Sequence, residues 1–322
     1  MQHPHTARST DSMDSIRQGT QQTHQLDGLH TPDSIINALS VDVEEYYHAE
    51  IFREGTKRES PSQHQGRVEA NVERILRLLA DRDTLATFFV LGEIAVLYPA
   101  MVKKIAAAGH EVACHSYRHE LVSGQSREEF RTDVGRAKAV LEDLVGEPVI
   151  GYRAPNFSIG PSQAWAFDIL LEQGFRYDSS IYPILHDRYG QPNAPRFAYA
   201  IRGDETGGLI EFPIGTARFL GVNLPIGGGG WFRLLPMPLV RRGIRRVNTT
   251  EGKGVMFYFH PWELDVDQPK PAMPWRHHFR LYVGLARMEA KIACLLRDLR
   301  FSSIREILSS QMCRGCLGLT AP

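Results

Sequence analysis

Between residues 35 and 178 short apolar runs alternate with longer stretches of helical period, at least four times over. Residues 36–43 (INALSVDV) are a brief apolar run ending in charge, the pattern of a buried strand. Val68, Val72, Ile75, Leu76 and Leu79 then recur at helical spacing. Residues 85–91 (LATFFVL) form a second strand rich in β-formers. Residues 94–108 read as helical, with Pro99 starting a new segment and Gly109 as a stop. Residues 111–115 are a third strand. Residues 126–145 make a long amphipathic helix, with Ser126 and Glu129 at capping-box spacing. Residues 149–153 are strand-like, 161–174 are a helix with Pro at its start and Gly at its end, and 175–178 are a strand. Repeated β-then-α order dictates a parallel sheet covered by helices, either open or closed into a barrel.

The rest of the chain is less regular. Residues 186–253 are rich in Gly, Pro and Arg and include the run Gly227, Gly228, Gly229, Gly230. Strand-like islands at 209–212 and 255–259 flank its most irregular part. The second island reads as one more barrel strand, which makes 186–253 an insertion rather than a small domain. One final helix is expected over about residues 278–299, within a C-terminal extension of about 263–322. Residues 1–33 are polar, without an apolar run, and read as a disordered tail ahead of a domain at 34–322. The tail lacks the basic start and apolar stretch of an export signal, which points to the cytoplasm. A chain of 322 residues can bury a core without cross-links, and its four cysteines do not make a disulfide scaffold. Cys114 is expected to be buried, and the C-x-x-C of Cys313 and Cys316 lacks the second pair of a zinc ribbon. Lys+Arg and Asp+Glu are both 37, a balance that argues against a nucleic-acid partner. No stretch approaches the roughly 18 apolar residues of a transmembrane helix. The basic stretch of Arg241, Arg242, Arg245 and Arg246 reads as a solvated helix face or a patch for an anionic glycan.

Sites in parallel α/β folds form at the carboxyl ends of strands. Those ends here hold Asp42, Glu44 and Glu45, then His115 and His119, Arg153 and Pro155, Asp178, and His260. His115 and His119 are spaced H-x-x-x-H just past a strand. They are either two loop histidines or, with one carboxylate, a catalytic zinc-type set that leaves positions open for water and substrate. Imidazole suits iron, cobalt or nickel as well. Asp42 and Glu44 alternate along their strand, so both face one mouth only if the strand kinks there. One then binds metal while the other serves as a general base, or both simply cap the next segment. Glu45 is expected to face solvent. Arg153 either holds a catalytic carboxylate ionised or forms a structural ion pair. His260, within the sequence FYFHPW, is either a general acid or a core histidine.

Taken in order, Asp42-Val-Glu44, His115-Ser-Tyr-Arg-His119, Arg153-Ala-Pro155, Asp178-Ser-Ser180 and Phe259-His260 resemble the five motifs of the polysaccharide deacetylases, the NodB-homology carbohydrate esterases. Longer stretches at 40–48, 151–159, 177–183, 227–236 and 260–269 are similar to the subgroup encoded with exosortase and exopolysaccharide loci. The resemblance implies an α/β fold, a distorted (β/α) barrel carrying the irregular insertion and the helical extension. It implies an enzyme, a hydrolase of non-peptide C–N bonds that removes N-acetyl groups from amino sugars of a polysaccharide during exopolysaccharide biosynthesis. Its partner would be an N-acetylated polysaccharide or oligosaccharide. Glu44, His115 and His119 would bind a divalent metal, zinc first, with cobalt or nickel as alternatives. The commoner first motif has two adjacent Asp residues; Val43 stands in the second place here, so the ligand falls to Glu44. Asp42 would take a proton from water, Arg153 would position Asp42, His260 would protonate the departing amine, and Asp178 would orient His260. A backbone N–H in the Pro155–Asn156 turn would help hold the oxyanion. Trp231 and Trp262 would stack on sugar rings or pack as core or lid. The rival readings are a hydrolase of a small amide and a catalytically silent glycan-binding relative.

Overall fold

The computed structural model describes residues 35–56, 66–186, 188–203 and 208–313. The polar tail and Cys316 lie outside the described residues. The chain opens with β1 (Asn37–Val43), α1 (Glu50–Gly55) and α2 (Val68–Ala80). β2 (Thr87–Val90), α3 (Gly92–Leu97), α4 (Pro99–Ala107) and β3 (Glu111–Cys114) follow. Then come α5 (Arg127–Val145), β4 (Gly151–Tyr152), α6 (Trp165–Glu172) and β5 (Tyr177–Asp178). Pro99 opens α4, where its missing N–H costs nothing. Ser126 and Glu129 cap α5 reciprocally, and Gly146 ends it in the left-handed conformation. Phe130, Val134, Ala137 and Leu141 form the buried stripe of α5. β1, β2 and β3 are buried on both faces, as strands of a parallel sheet between helical layers must be. Cys114 is fully buried.

Beyond β5 the chain forms β6 (Tyr199–Arg202), β7 (Leu209–Glu211) and a hairpin of β8 (Thr216–Phe219) and β9 (Val222–Pro225). α7 (Gly229–Leu234), α8 (Met237–Arg246) and β10 (Met256–Phe259) follow. α9 (Trp275–Tyr282), α10 (Met288–Asp298), β11 (Phe301–Ser302) and α11 (Ile304–Cys313) close the fold. The strand order is β10-β1-β2-β3-β4-β5-β7-β6, with β11 also on β1. Every pairing in this sheet is parallel except β6 with β7. The sheet curls into a half-barrel that stays open, because the order ends at β10 and β6. The irregular region contributes β6 and β7 to this same sheet, and the β8–β9 hairpin stands apart from it.

Two features of the C-terminal half were not legible in composition. The single helix expected over 278–299 is two helices, because Gly284 takes φ +77° and ends α9 in a left-handed turn. The glycine run has a packing reason. Gly228 (φ +115°) bridges Tyr258 of β10, and a Cβ there would overlap the Tyr258 carbonyl. The chain entering α7 can therefore lie directly against the strand that carries His260.

Candidate active site

β1 ends at Val43, which answers the question of alternation. Asp42 stays on the strand and Glu44 lies just beyond it, so the two carboxylates reach the same mouth. Asp42 Oδ1 accepts from Arg153 Nη1 at 2.6 Å. Arg153 has no solvent exposure; Nη1 also donates to Ser40 Oγ at 2.8 Å, Nε to the Ser179 carbonyl at 3.1 Å, and Nη2 to Ser179 Oγ at 2.8 Å. Its guanidinium lies 4.1 Å from the centre of the Phe89 ring. A planar fork with its donors used in this way is a fixed cation that orients Asp42. The other Asp42 oxygen, Oδ2, faces His260 Nε2 at 4.0 Å.

His115 and His119 converge because the loop after β3 turns sharply. Ser116 (φ +68°) and His119 (φ +57°) both adopt left-handed backbone that non-glycine residues take at a cost. His115 Nδ1 lies 2.8 Å from the Arg153 carbonyl, which fixes the proton on Nδ1 and leaves Nε2 as a lone-pair donor. Burial pushes the His115 imidazole down to about 4, so it is neutral at pH 7, as a ligand must be. Ligand atoms of Glu44, His115 and His119 all lie within 4.8 Å of one another, and all three residues are buried. Glu44 Oε2 is 2.6 Å from His119 Nε2, yet it makes no hydrogen bond. Burial by itself would raise the Glu44 carboxyl, but the facing His119, His260 and His115 outweigh it and hold it well below the usual carboxylate range. Two imidazoles and a carboxylate with an orphaned buried oxygen fit a divalent cation, and the set matches that of catalytic zinc sites.

His260 directly follows β10, and its partner is not the one expected. Its Nδ1 is 3.0 Å from Glu263 Oε2, whose other oxygen accepts from Arg233 Nε at 2.6 Å. Arg233 is tied in turn to the carbonyls of Arg280 (3.0 Å), Leu281 (2.5 Å) and Val283 (3.2 Å) at the end of α9. Burial opposes protonation of His260, but Glu44, Glu263 and Asp42 outweigh it and push its pKa up to about 9. Asp178 is engaged elsewhere. Its oxygens accept from Ser180 Oγ (2.6 Å) and Ser180 N (3.1 Å), and Ser180 Oγ accepts from the Ala154 amide at 2.8 Å. Burial pushes Asp178 up, and Glu211 beside it goes well up too. Asp178 therefore braces the Arg153–Pro155 loop, and Glu263 orients His260.

Glu45 also departs from expectation. It is buried and accepts from the amides of Arg67 (2.6 Å) and Val68 (2.8 Å), capping the first turn of α2. Burial pushes it up to about 7 against those hydrogen bonds. Trp262 is buried beside Glu44: Nε1 donates to Glu44 Oε1 at 3.0 Å and the ring stacks on His260. It is a wall of the site rather than a sugar platform. Pro155 is buried too, whereas Asn156 lines the cleft and its amide nitrogen is buried without a partner. Trp231 lines the cleft.

Asp42, Glu44, His115, His119, His260 and Glu263 line one cleft of about 1340 Å³, with Arg153 and Asp178 behind its wall. α9 supplies part of its wall, with Trp275 and Phe279 72% and 50% exposed. Sequence reading missed Glu263, Arg233 and the α9 aromatics. The signal for Glu263 was present: His260-Pro-Trp-Glu263 is a capping-box spacing with Pro at the first helical position.

Comparison with known proteins divides the chain in two. Residues 62–169 match the family model for polysaccharide deacetylase, and 179–309 match a domain of unknown function, DUF3473. A peptidoglycan deacetylase of Helicobacter pylori is 30% identical over 118 residues, 35% of this chain and 38% of that protein. A peptidoglycan-N-acetylglucosamine deacetylase of Bacillus cereus is 34% identical over 103 residues, 32% of this chain and 36% of that protein. The chain thus spans little more than a third of the length of these curated relatives. A solved Mycobacterium smegmatis structure assigned to polysaccharide deacetylases aligns with TM-score 0.58 at 20% identity, over 91% of this chain and 94% of that one. The PuuE allantoinase aligns with TM-score 0.54 at 15% identity, over 87% and 90%. Both show the shared fold.

Proposed function

We propose, for a chain whose residues 62–169 match the polysaccharide deacetylase family model, that this site hydrolyses the N-acetyl amide of an amino sugar within a glycan. One observation carries the reading. The Glu44–His115–His119 cluster, Asp42 held from behind by Arg153, and the His260–Glu263–Arg233 row converge on one cleft at one end of the sheet.

Glu44, His115 and His119 would hold a divalent cation, zinc by the character of the donors, and when bound it supplies Lewis acidity to the acetyl carbonyl and acidity to water. Asp42 Oδ2, the oxygen that Arg153 leaves free, takes a proton from the attacking water as its oxygen bonds to the carbonyl carbon. His260 Nε2 gives a proton to the sugar nitrogen as the C–N bond breaks, leaving acetate and a free amine. Glu263 holds the His260 ring for that transfer. The unpartnered Asn156 amide is a donor for the acetyl oxygen. Trp231, Trp275 and Phe279 offer apolar faces to sugar rings along a cleft roomy enough for an extended chain, which supports a polymer over a small amide. The longer stretches quoted above support an exopolysaccharide as that polymer.

The test is metal content by elemental analysis beside acetate release from N-acetylated oligosaccharides and exopolysaccharide. About one metal per chain, lost in a His115→Ala/His119→Ala variant, with acetate released only by the loaded wild type, is expected. A protein that takes up no zinc, cobalt or nickel, or a loaded protein that frees no acetate from any N-acetylated glycan, overturns the reading.

A further inference from the structure

The β8–β9 hairpin exposes an apolar tip. Phe219, Leu220, Val222 and Leu224 are 57%, 87%, 60% and 44% exposed. Strand pairing sets Phe219 opposite Val222 and Ala217 opposite Leu224, so these apolar side chains share one face of the ribbon. The turn itself is unusual. Leu220 and Gly221 take φ +47° and +83°, the two positive values of the tight hairpin turn that favours Asn-Gly. A leucine held in left-handed backbone at the most exposed point of the ribbon gains no burial in return. Strain of this kind at a tip points to a use for the side chain.

The ribbon is fixed below its tip. Asn223 Nδ2 donates to the Pro183 carbonyl at 2.8 Å, and α8 packs close enough that a Cβ on Gly243 would lie 3.0 Å from Ile226 and 3.7 Å from Ala217. α8 brings a second kind of surface. Leu239 is 59% exposed beside the ribbon, and Arg242 and Arg246, one turn apart, are exposed. Arg218 is exposed as well, on the other face of the ribbon, opposite Asn223 in the register. Among the described residues no carboxylate pairs with these three arginines, although the whole chain is balanced at 37 charges of each sign.

An apolar wedge braced by unpaired arginines fits an anionic bilayer surface, where apolar side chains enter the headgroup region and guanidinium groups meet lipid phosphates. We infer that the β8–β9 tip and the adjoining face of α8 dock this protein on an anionic lipid bilayer. Among the described residues no helix is long and apolar enough to cross a membrane.

Co-sedimentation with vesicles tests this without using catalysis. Phosphatidylcholine vesicles containing about a third phosphatidylglycerol should pull down the wild type, and pure phosphatidylcholine vesicles should not. Binding should weaken as salt rises. Phe219→Ser/Leu220→Ser should lose at least tenfold in affinity, and Arg242→Gln/Arg246→Gln roughly fivefold per arginine. The positions are exposed, so both variants should keep the wild-type melting temperature and any acetate release from soluble oligosaccharides. Three outcomes overturn the inference. One is no binding to anionic vesicles. Another is unchanged binding by the tip variant. The third is a dimer in light scattering that Leu220→Ser dissociates, which would mean a second copy covers the tip.

Discussion

Arg153 and Arg233 stand on two sides of the site and do comparable work. Each is a buried guanidinium that fixes one carboxylate, Asp42 in the first case and Glu263 in the second. Asp42→Asn should lower kcat by roughly 10²–10⁴ while metal content stays at the wild-type level, because it removes a base and no ligand. His115→Ala should lose the metal and the activity together. Glu263→Gln should keep a partner for His260 Nδ1 but remove the charge that supports its protonated form. A fall in kcat of roughly 10–100-fold with little change in KM is expected from steady-state kinetics on an N-acetylated oligosaccharide. A variant with wild-type kcat would remove Glu263 from the reaction. These roles separate what was legible from what was not. Asp42, His115, His119, Arg153 and His260 could be found because each stands at or just past the end of a strand that periodicity reveals. Glu263 reaches His260 through a 3-10 turn, and Glu211 meets Asp178 from β7, more than thirty residues further along. Neither relation has a period, and the family resemblance gave Asp178 the place beside His260 that Glu263 occupies.

Elements were readable where local rules and burial agree, and unreadable where a tertiary contact decides. α5 carries its cap, stripe and stop within its own residues. The break between α9 and α10 depends on Gly284, where a Cβ would sit 2.7 Å from the Arg233 carbonyl. Gly284→Ala should therefore destabilise by at least about 1 kcal/mol, seen in chemical unfolding, and should also lower activity by displacing Arg233. Glu45 caps α2 from a turn that sequence reading left in solvent. Glu45→Ala leaves two helix amides without their acceptor and should cost about 1–3 kcal/mol. His110, at the entry to β3, accepts from the Ala86 amide through Nδ1 and packs 5.1 Å from Phe88. Burial pushes it down to about 4, against 6.5 ordinarily. As pH falls through that window the unfolded chain takes up a proton that the folded one refuses, so stability drops. The melting temperature of the wild type should fall more between pH 7 and pH 4.5 than that of His110→Gln.

At the scale of the whole molecule, the residues proposed to hold the cation and the residue proposed to give the proton come from opposite halves. Asp42, Glu44, His115 and His119 precede residue 169, whereas Arg233, His260 and Glu263 lie within 179–309. A cation held by the first half should stabilise the entire fold, because it binds only the folded chain. At about 100 times its Kd the gain is about 2.7 kcal/mol, seen as a rise in melting temperature that chelator reverses and His115→Ala/His119→Ala lacks. The way β1 is paired has a consequence for synthesis. Its backbone is joined to β10 and β11, and the Asn37 side chain accepts from the Val255 amide, 218 residues away. At roughly 5–20 residues per second a ribosome needs about 10–40 s to make that stretch. Throughout that interval the first strand has an edge without its partner, and the nascent sheet presents a row of unsatisfied amides and carbonyls. The edge of β1 therefore waits on strands that are made last, and the residues proposed to hold the cation are synthesised before the residue proposed to give the proton.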